Sequence, residues 1–547
     1  MERCMKEPRS AAGGWLGRDG HWPWLLIGGL LLWHLLIGVL VPVTRDEAYY
    51  FNWAWALDWG YFDHPPAVAL LGIGSLLAPG SALAGRLGAV IIGALTLWVL
   101  WQLYRRAGLN PGHGLLLALV LAAGTFPGLA AGVILTPDTP LALCWALALH
   151  EALAALDGDR RRWLSAGAAS GLGLLGKYTM VVIGPVFLWA ILLVDRRALM
   201  TRWPYLGGLA ALLLFLPNLL WNASNDWLTL RFQFGHGFAA NTGELVLAAE
   251  RLLPPAVGVP GSPGPEPVAG LGGRLAGLGR FLGSELLFWG LLLLPMVAAL
   301  LVAGGPRRIM RDLRASLGRP ARALFTAATL FPLLLFGFVA LGSDVEANWA
   351  AMYLTAAAPI AAVALRPLGR WALAAAATNL LLVTLYAVHA ATDLLPLPPS
   401  QERILRDTHG FDALADYLAG LSAPVVADRY PFAAMINFYQ PRLAVVQWPG
   451  ITRQSEYLRG RIVPLPRLTD LKRTGFWLLA RKFQPPSIPG FASDTTRSLY
   501  DCRGQPLRVL DGARDYYRGA HCQEPLHVWR LYHYRSSGDA PGLDQTR

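Results

Sequence analysis

Residues 22–50 read WPWLLIGGLLLWHLLIGVLVPVTRDEAYY. The apolar run from Trp22 to Val41 is followed at once by two adjacent carboxylates, Asp46 and Glu47. A helix crossing the hydrocarbon core needs about 20 mostly apolar residues, and this run has that length. No small-residue cleavage site follows it, so a retained span is expected in place of a cleaved signal. Ionisable groups where a span leaves the bilayer are costly unless they have a partner or a task.

Working outward, similar runs recur near 66–103, 114–133, 139–156, 163–176, 178–194, 204–221, 284–303, 323–341, 349–365 and 371–391. With 22–42 they make about 11 expected transmembrane helices, the 66–103 stretch being one span preceded by a short re-entrant or interfacial helix. The composition agrees. Of 547 residues, 54% are hydrophobic and 15% charged, against about 25% charged in a soluble domain. The net charge of +12 sits in short Arg clusters between apolar runs. Topology demands that distribution, and it argues against a nucleic-acid partner.

The clusters are Arg105-Arg106, Asp157 to Arg162, Asp195 to Arg202, Pro306 to Arg322 and Arg366 to Arg370. They fall after every second span, so the positive-inside rule makes them cytoplasmic. The complementary set, 43–65, 134–138, the Lys177 turn, 222–283, 342–348 and everything after 392, then faces outside. The expected organisation is a cytoplasmic tail (1–21), an all-α polytopic membrane domain (22–399) with large outer loops 43–65 and 222–283, and an extracytoplasmic α/β domain (400–547). Helix 411–421 and strands 424–427, 443–448, 475–480 and 526–534 are read from amphipathicity and Val/Trp/Tyr/Leu content. Residues 253–273, dense in Pro and Gly, are expected to be irregular. Cys502 and Cys522 lie in the outer domain, where a bridge between them is chemically allowed.

Three consecutive outer segments carry ionisable groups. The first holds Arg45, Asp46, Glu47 and Tyr50, then Tyr61, Asp63 and His64; the second holds Asp138; the third holds Lys177 and Tyr178. Lys177 is the one lysine between residues 7 and 471. A lysine at membrane depth implies a partner or an anionic ligand. The topology permits Asp46, Asp138, His64 and Lys177 to share one cavity. Trp53, Trp55 and Trp59 are read as interface anchors, and His150 and Glu151 as a solvated helix end.

Asp46-Glu47, Tyr61 to Pro66, the Asp138 loop and Gly176-Lys177-Tyr178 resemble the bacterial branch of the protein O-mannosyltransferase and aminoarabinose-transferase superfamily, which has the GT-C fold. Pro217 to Asn222, Asp226-Trp227, Glu346 to Trp349, Asp428 to Tyr430 and Phe438-Tyr439 extend the resemblance to about residue 460. It implies an inverting glycosyltransferase with a polyprenyl-phosphate sugar donor and a glycolipid, polysaccharide or protein acceptor outside a bacterial inner membrane. Asp46 matches the family's catalytic base, Glu47 its neighbour, and Asp138 an acidic residue that assists at the acceptor side or orients the surroundings of the base. Lys177 matches a family lysine and is the better phosphate partner. His64 stands where relatives carry Lys, and an unperturbed His is charged only below about pH 6.5.

The chemistry fits that division. A lipid phosphate is a good leaving group that needs cations, for which Lys177, Arg45, Arg231 and His64 are candidates. The acceptor hydroxyl or amine needs a base, for which Asp46 is placed. Tyr50, Tyr61, Asp63, Tyr178, Glu346 and Asn348 complete the candidate substrate-binding set. No cofactor is demanded; a divalent ion on Asp46, Asp63 and His64 is the lesser alternative. The competing function is a transporter or flippase of lipid-linked sugars, which would place its charged site near mid-membrane between repeated halves. Here the charges sit at one face and no repeat is visible.

Overall fold

A computed structural model describes residues 21–539 apart from 111, 239–244, 258–269, 302–303, 396, 399, 482–483, 503–504 and 514–523. The expected tail lies almost wholly outside the described residues. Among those described, seven helices are long and apolar enough to cross a membrane: Trp22–Leu40, Ala82–Arg106, Asp138–Leu156, Trp203–Ser224, Gly270–Leu301, Arg319–Val339 and Arg366–Thr392. Shorter apolar helices occupy the other expected runs: His113–Ala123, Arg162–Leu174, Tyr178–Val194 and Ala351–Ala364. The short helix expected before the second span is Ala67–Leu76. The helix expected from 284 begins earlier, at Gly270, because 270–283 mixes Leu and Phe with Gly and Arg and escapes an apolar-run search.

The loops sort to the two ends of the bundle as their charges require. At one end Arg106 meets His150, Arg162 meets Glu151, Arg160 meets Asp195, and Arg319 reaches the Leu193 carbonyl. His150 and Glu151, read as solvated, are therefore partly buried members of an ionic network. At the other end lie the Asp46, Asp138, Lys177 and 342–348 segments, capped by the C-terminal sheet domain.

That sheet has strands β1 (Val425–Ala427), β2 (Val446–Gln447), β3 (Phe476–Ala480), β4 (Phe491–Asp501), β5 (Arg508–Asp511) and β6 (His527–Ser536), in the order β2-β1-β3-β6-β4-β5. β1 pairs parallel with β2 and β3; the other pairs are antiparallel. All four expected strands are present, and helix Phe411–Ala419 packs with them. β4 and β5 were not expected. β4 reads FASDTTRSLYD, with no apolar alternation at its centre. Its place comes from pairing with β6, which supplies buried Trp529, Leu531, Tyr532 and Tyr534. Cys502, at the end of β4, is disulfide-bonded; Cys522 lies outside the described residues.

The sheet domain and the first outer loop share one core. Thr44 starts helix Arg45–Trp53 with a capping box: its hydroxyl accepts from the Glu47 amide while Glu47 accepts from the Thr44 amide, satisfying two orphan donors. The helix then inserts Tyr49, Phe51 and Trp53 into a cluster with Phe411, Val426, Phe438 and Trp448. Asn52 donates to the Ala434 carbonyl at 2.9 Å and to Tyr457 at 2.8 Å. Trp53 is thus no interface anchor: it is fully buried and stacked on Tyr61. The Pro-rich stretch is docked at its start, where Ala256 and Val257 donate to the Pro449 and Ser487 carbonyls.

Candidate active site

A cavity of about 730 Å³ opens where the helical bundle meets the sheet domain. Its walls include Asp46, Tyr50, His64, Asp138, Lys177, Tyr178, Glu346 and Asn348. Four separate outer segments are therefore brought to one space. Phe215, Phe232, Leu335 and Phe336 give the same cavity an apolar side.

Each polar group is held differently. Asp46 lies in the first turn of helix Arg45–Trp53, where the helix N-terminus favours negative charge. Among the described residues its one hydrogen-bonding neighbour is the Tyr430 hydroxyl, at 3.5 Å. Its carboxylate is open to the cavity yet ringed by protein. That desolvation, reinforced by Asp407, raises its pKa above the ordinary carboxylate value, against the opposing pull of Arg453 and Arg45. An unpaired carboxylate with a raised pKa is a stronger base than a solvated one.

Lys177 is buried, and its Nζ lies 2.7 Å from Asp138 Oδ1. Asn348 donates to the other Asp138 oxygen at 2.6 Å. Asp138 thereby fixes Lys177 at the cavity wall. Tyr178 shows its ring to the cavity while its hydroxyl donates to Asn218 at 2.9 Å and accepts from Asn222 at 3.1 Å. The Asn-containing segment 218–222 thus positions Tyr178. Burial pushes the His64 pKa down to about 4, the larger effect, and Lys177 adds to it against Asp63, so at the cavity wall its neutral form, with one N–H to donate, is favoured over the cation.

Five sequence candidates lie elsewhere. Glu47 is fully buried and ion-paired with fully buried Arg86 at 2.6 and 2.7 Å. The same guanidinium donates to the Gly38, Val41 and Pro42 carbonyls, and the Leu135 amide donates to Glu47. Glu47 ties the first two spans to the second outer loop and is not among the residues that wall the Asp46 cavity. Asp63 is buried, accepts from Tyr49 at 2.6 Å and pairs with Arg453 at 2.8 Å. Among the described residues Asp46, Asp63 and His64 do not lie close enough together to form a metal-ligand set. Tyr61 is buried against Trp53 with its hydroxyl on backbone carbonyls. Arg45 pairs with Asp407 and faces a different pocket. The Arg231 guanidinium reaches the Asp226 carbonyl, while its neighbours Phe232 and Gln233 line the cavity.

Two cations missing from the sequence reading line the cavity: Arg453 and Arg403. Arg453 lies over the Tyr430 ring, 4.2 Å from its centroid, and over Phe232. Both come from beyond residue 400, a region read as a separate soluble domain. Their usable signal was the nearby Asp428-Arg429-Tyr430 motif, which brings Tyr430 to Asp46. Elsewhere, His389, Asp393 and Glu402 group closely enough to hold a metal ion. However, His389 Nδ1 accepts from the Leu395 amide, so Nε2 carries the proton and faces Glu402 at 3.0 Å. That tautomer offers no lone pair to a metal.

The fold matches the crystal structure of ArnT from Cupriavidus metallidurans bound to undecaprenyl phosphate, with a TM-score of 0.55 at 15% identity over 84% of this chain and 94% of that one. This chain is a GT-C-fold membrane protein. The apo form of the same ArnT gives a TM-score of 0.54. Within the GT-C region, residues 63–221 match the family described as dolichyl-phosphate-mannose-protein mannosyltransferase. The chain is also 28% identical over 217 residues to the lipid A galacturonosyltransferase RgtD of Rhizobium johnstonii. That match spans 38% of this chain and 44% of the relative's length.

Proposed function

We propose that this protein transfers a sugar from a polyprenyl-phosphate donor to an acceptor outside a bacterial inner membrane. The observation that carries the reading is one cavity holding an unpaired carboxylate, Asp46, and a fixed ammonium, Lys177. The matching relatives act on lipid A or bind undecaprenyl phosphate, so a glycolipid is the acceptor class favoured here.

Asp46 takes the proton as the acceptor oxygen or nitrogen attacks the anomeric carbon. The bond from that carbon to the phosphate oxygen breaks, and the electron pair leaves with the polyprenyl phosphate. Lys177 and Arg453 stabilise the charge that accumulates on that phosphate. Attack opposite the leaving group inverts the anomeric centre. Asp138 and Asn348 act as positioning residues for Lys177, and His64 offers a neutral hydrogen bond. The apolar side of the cavity suits the first units of a prenyl chain.

The charged groups gather at one end of the bundle, which favours transfer over transport, since transporter sites sit near mid-membrane. Reconstituted vesicles with labelled lipid-linked sugar separate the two: glycosylated acceptor is the expected product, and scrambling of the label with no product would establish a flippase. Mass spectrometry of envelope glycolipids from a deletion strain names the sugar through the species that disappears.

A further inference from the structure

Beside the cavity lies a second pocket of about 290 Å³, walled by Arg45, Arg403, Arg406, Arg429 and Arg481, with His527. Its sides come from the first outer loop, the segment after the last span and the sheet domain. Five guanidiniums here meet two carboxylates: Asp407 pairs with Arg45, and Asp428 with Arg429. Arg403, Arg406 and Arg481 have no carboxylate partner among the described residues. Among the described residues Arg406 reaches the Glu402 and Ser400 carbonyls.

Two further observations mark the pocket as built for an anion. Burial, with the repulsion of Arg429, Arg406 and Arg45, holds the Arg481 pKa below its ordinary value. Burial, then the repulsion of Arg45, Arg481 and Arg406, pushes the His527 pKa down to about 3, and its Nε2 is buried without a hydrogen-bond partner among the described residues. Among the described residues Asp407 and Asp428 offset only part of the cost of gathering this positive charge, as expected where a ligand supplies the rest of the counter-charge. Arg403 lines both this pocket and the Asp46 cavity, and Arg45 directly precedes Asp46.

We propose that this arginine pocket seats a phosphate monoester of the acceptor, so that a phosphorylated glycolipid docks with its sugar hydroxyl turned toward Asp46. The inference rests on the transferase reading and names its acceptor subsite. Forked guanidiniums match the tetrahedral phosphate oxygens better than lysines would.

The test uses the full-length protein in nanodiscs, titrated with a phosphorylated glucosamine-disaccharide glycolipid, its dephosphorylated form, inorganic phosphate and undecaprenyl phosphate. The expected result is that the phosphorylated glycolipid binds about tenfold or more tighter than the dephosphorylated form. Inorganic phosphate competes with it. The Arg406→Gln/Arg481→Gln variant loses the preference while keeping its affinity for undecaprenyl phosphate. Equal binding of the two glycolipid forms by the unmodified protein overturns the proposal, whatever the variant's folding. Binding of inorganic phosphate without a preference between the glycolipids also overturns it, assigning the pocket to free phosphate. Loss of undecaprenyl phosphate binding alongside an intact glycolipid preference would instead strike the transferase reading.

Discussion

Lys177 Nζ and Asp138 Oδ1 are 2.7 Å apart at the wall of the Asp46 cavity. The ammonium belongs to the turn after helix Arg162–Leu174, and the carboxylate opens helix Asp138–Leu156. The pair holds a cation in place before any ligand arrives. A phosphate approaching Lys177 meets a pre-oriented donor and pays little to order it. Lys177→Ala is expected to weaken binding of undecaprenyl phosphate about tenfold or more. Titration of the reconstituted variant reads this directly; unchanged affinity moves the phosphate site away from Lys177.

The raised pKa of Asp46 predicts the acid limb of the rate profile. A base works only when deprotonated, so the limb of kcat/KM lies above the ordinary carboxylate range of about pH 4. Asp407 raises that pKa and Arg453 lowers it. Asp407→Asn therefore moves the limb to lower pH, and Arg453→Gln moves it to higher pH. Shifts of opposite sign in the two profiles support Asp46 as the titrating base. Profiles that stay put, or that shift together, assign the limb to another group.

Glu47 stands next to Asp46 and has a different task. Its partner Arg86 is fully buried, so removing the carboxylate strands a charge, at a cost of about 3–5 kcal/mol. Glu47→Ala is expected to lower the melting temperature and the folded yield, and Arg86→Ala to do the same. The double variant should cost much less than the two single losses combined. A Glu47→Ala protein of normal stability and reduced turnover would return Glu47 to the catalytic group.

Much of this was legible in the sequence, because bilayer length and loop charge are written locally. The apolar runs give the helices, the basic clusters mark the end of the bundle away from the cavity, and the segments between them named Asp46, Asp138, Lys177 and Asn348 as candidates. Burial was not legible. Asp46 and Glu47 are adjacent and chemically alike, but one turns to the cavity and the other to Arg86, 39 residues on in the chain. Helical phase decides that, and short motifs do not record it. The arginines from beyond residue 400 were hidden for a second reason. Helix Arg45–Trp53 and the sheet domain share a core, and packing between segments some 400 residues apart leaves no periodic trace. β4 escaped because β6 supplies the apolar face that its own sequence lacks.

The proposed base also has a stability signature. Because its pKa is raised on folding, Asp46 favours the folded state most at low pH, and that contribution is lost as the pH rises through its folded value. At neutral pH an ionised, desolvated Asp46 is a cost, so Asp46→Asn should melt no lower than the unmodified protein.

The most direct measurement is the transfer rate of Asp46→Asn in proteoliposomes holding the polyprenyl-phosphate sugar and a glycolipid acceptor, with undecaprenyl phosphate affinity read on the same preparation. The expected rate is at least about 100-fold lower, with donor affinity kept by Lys177. Normal turnover by a folded, donor-binding Asp46→Asn protein would contradict it.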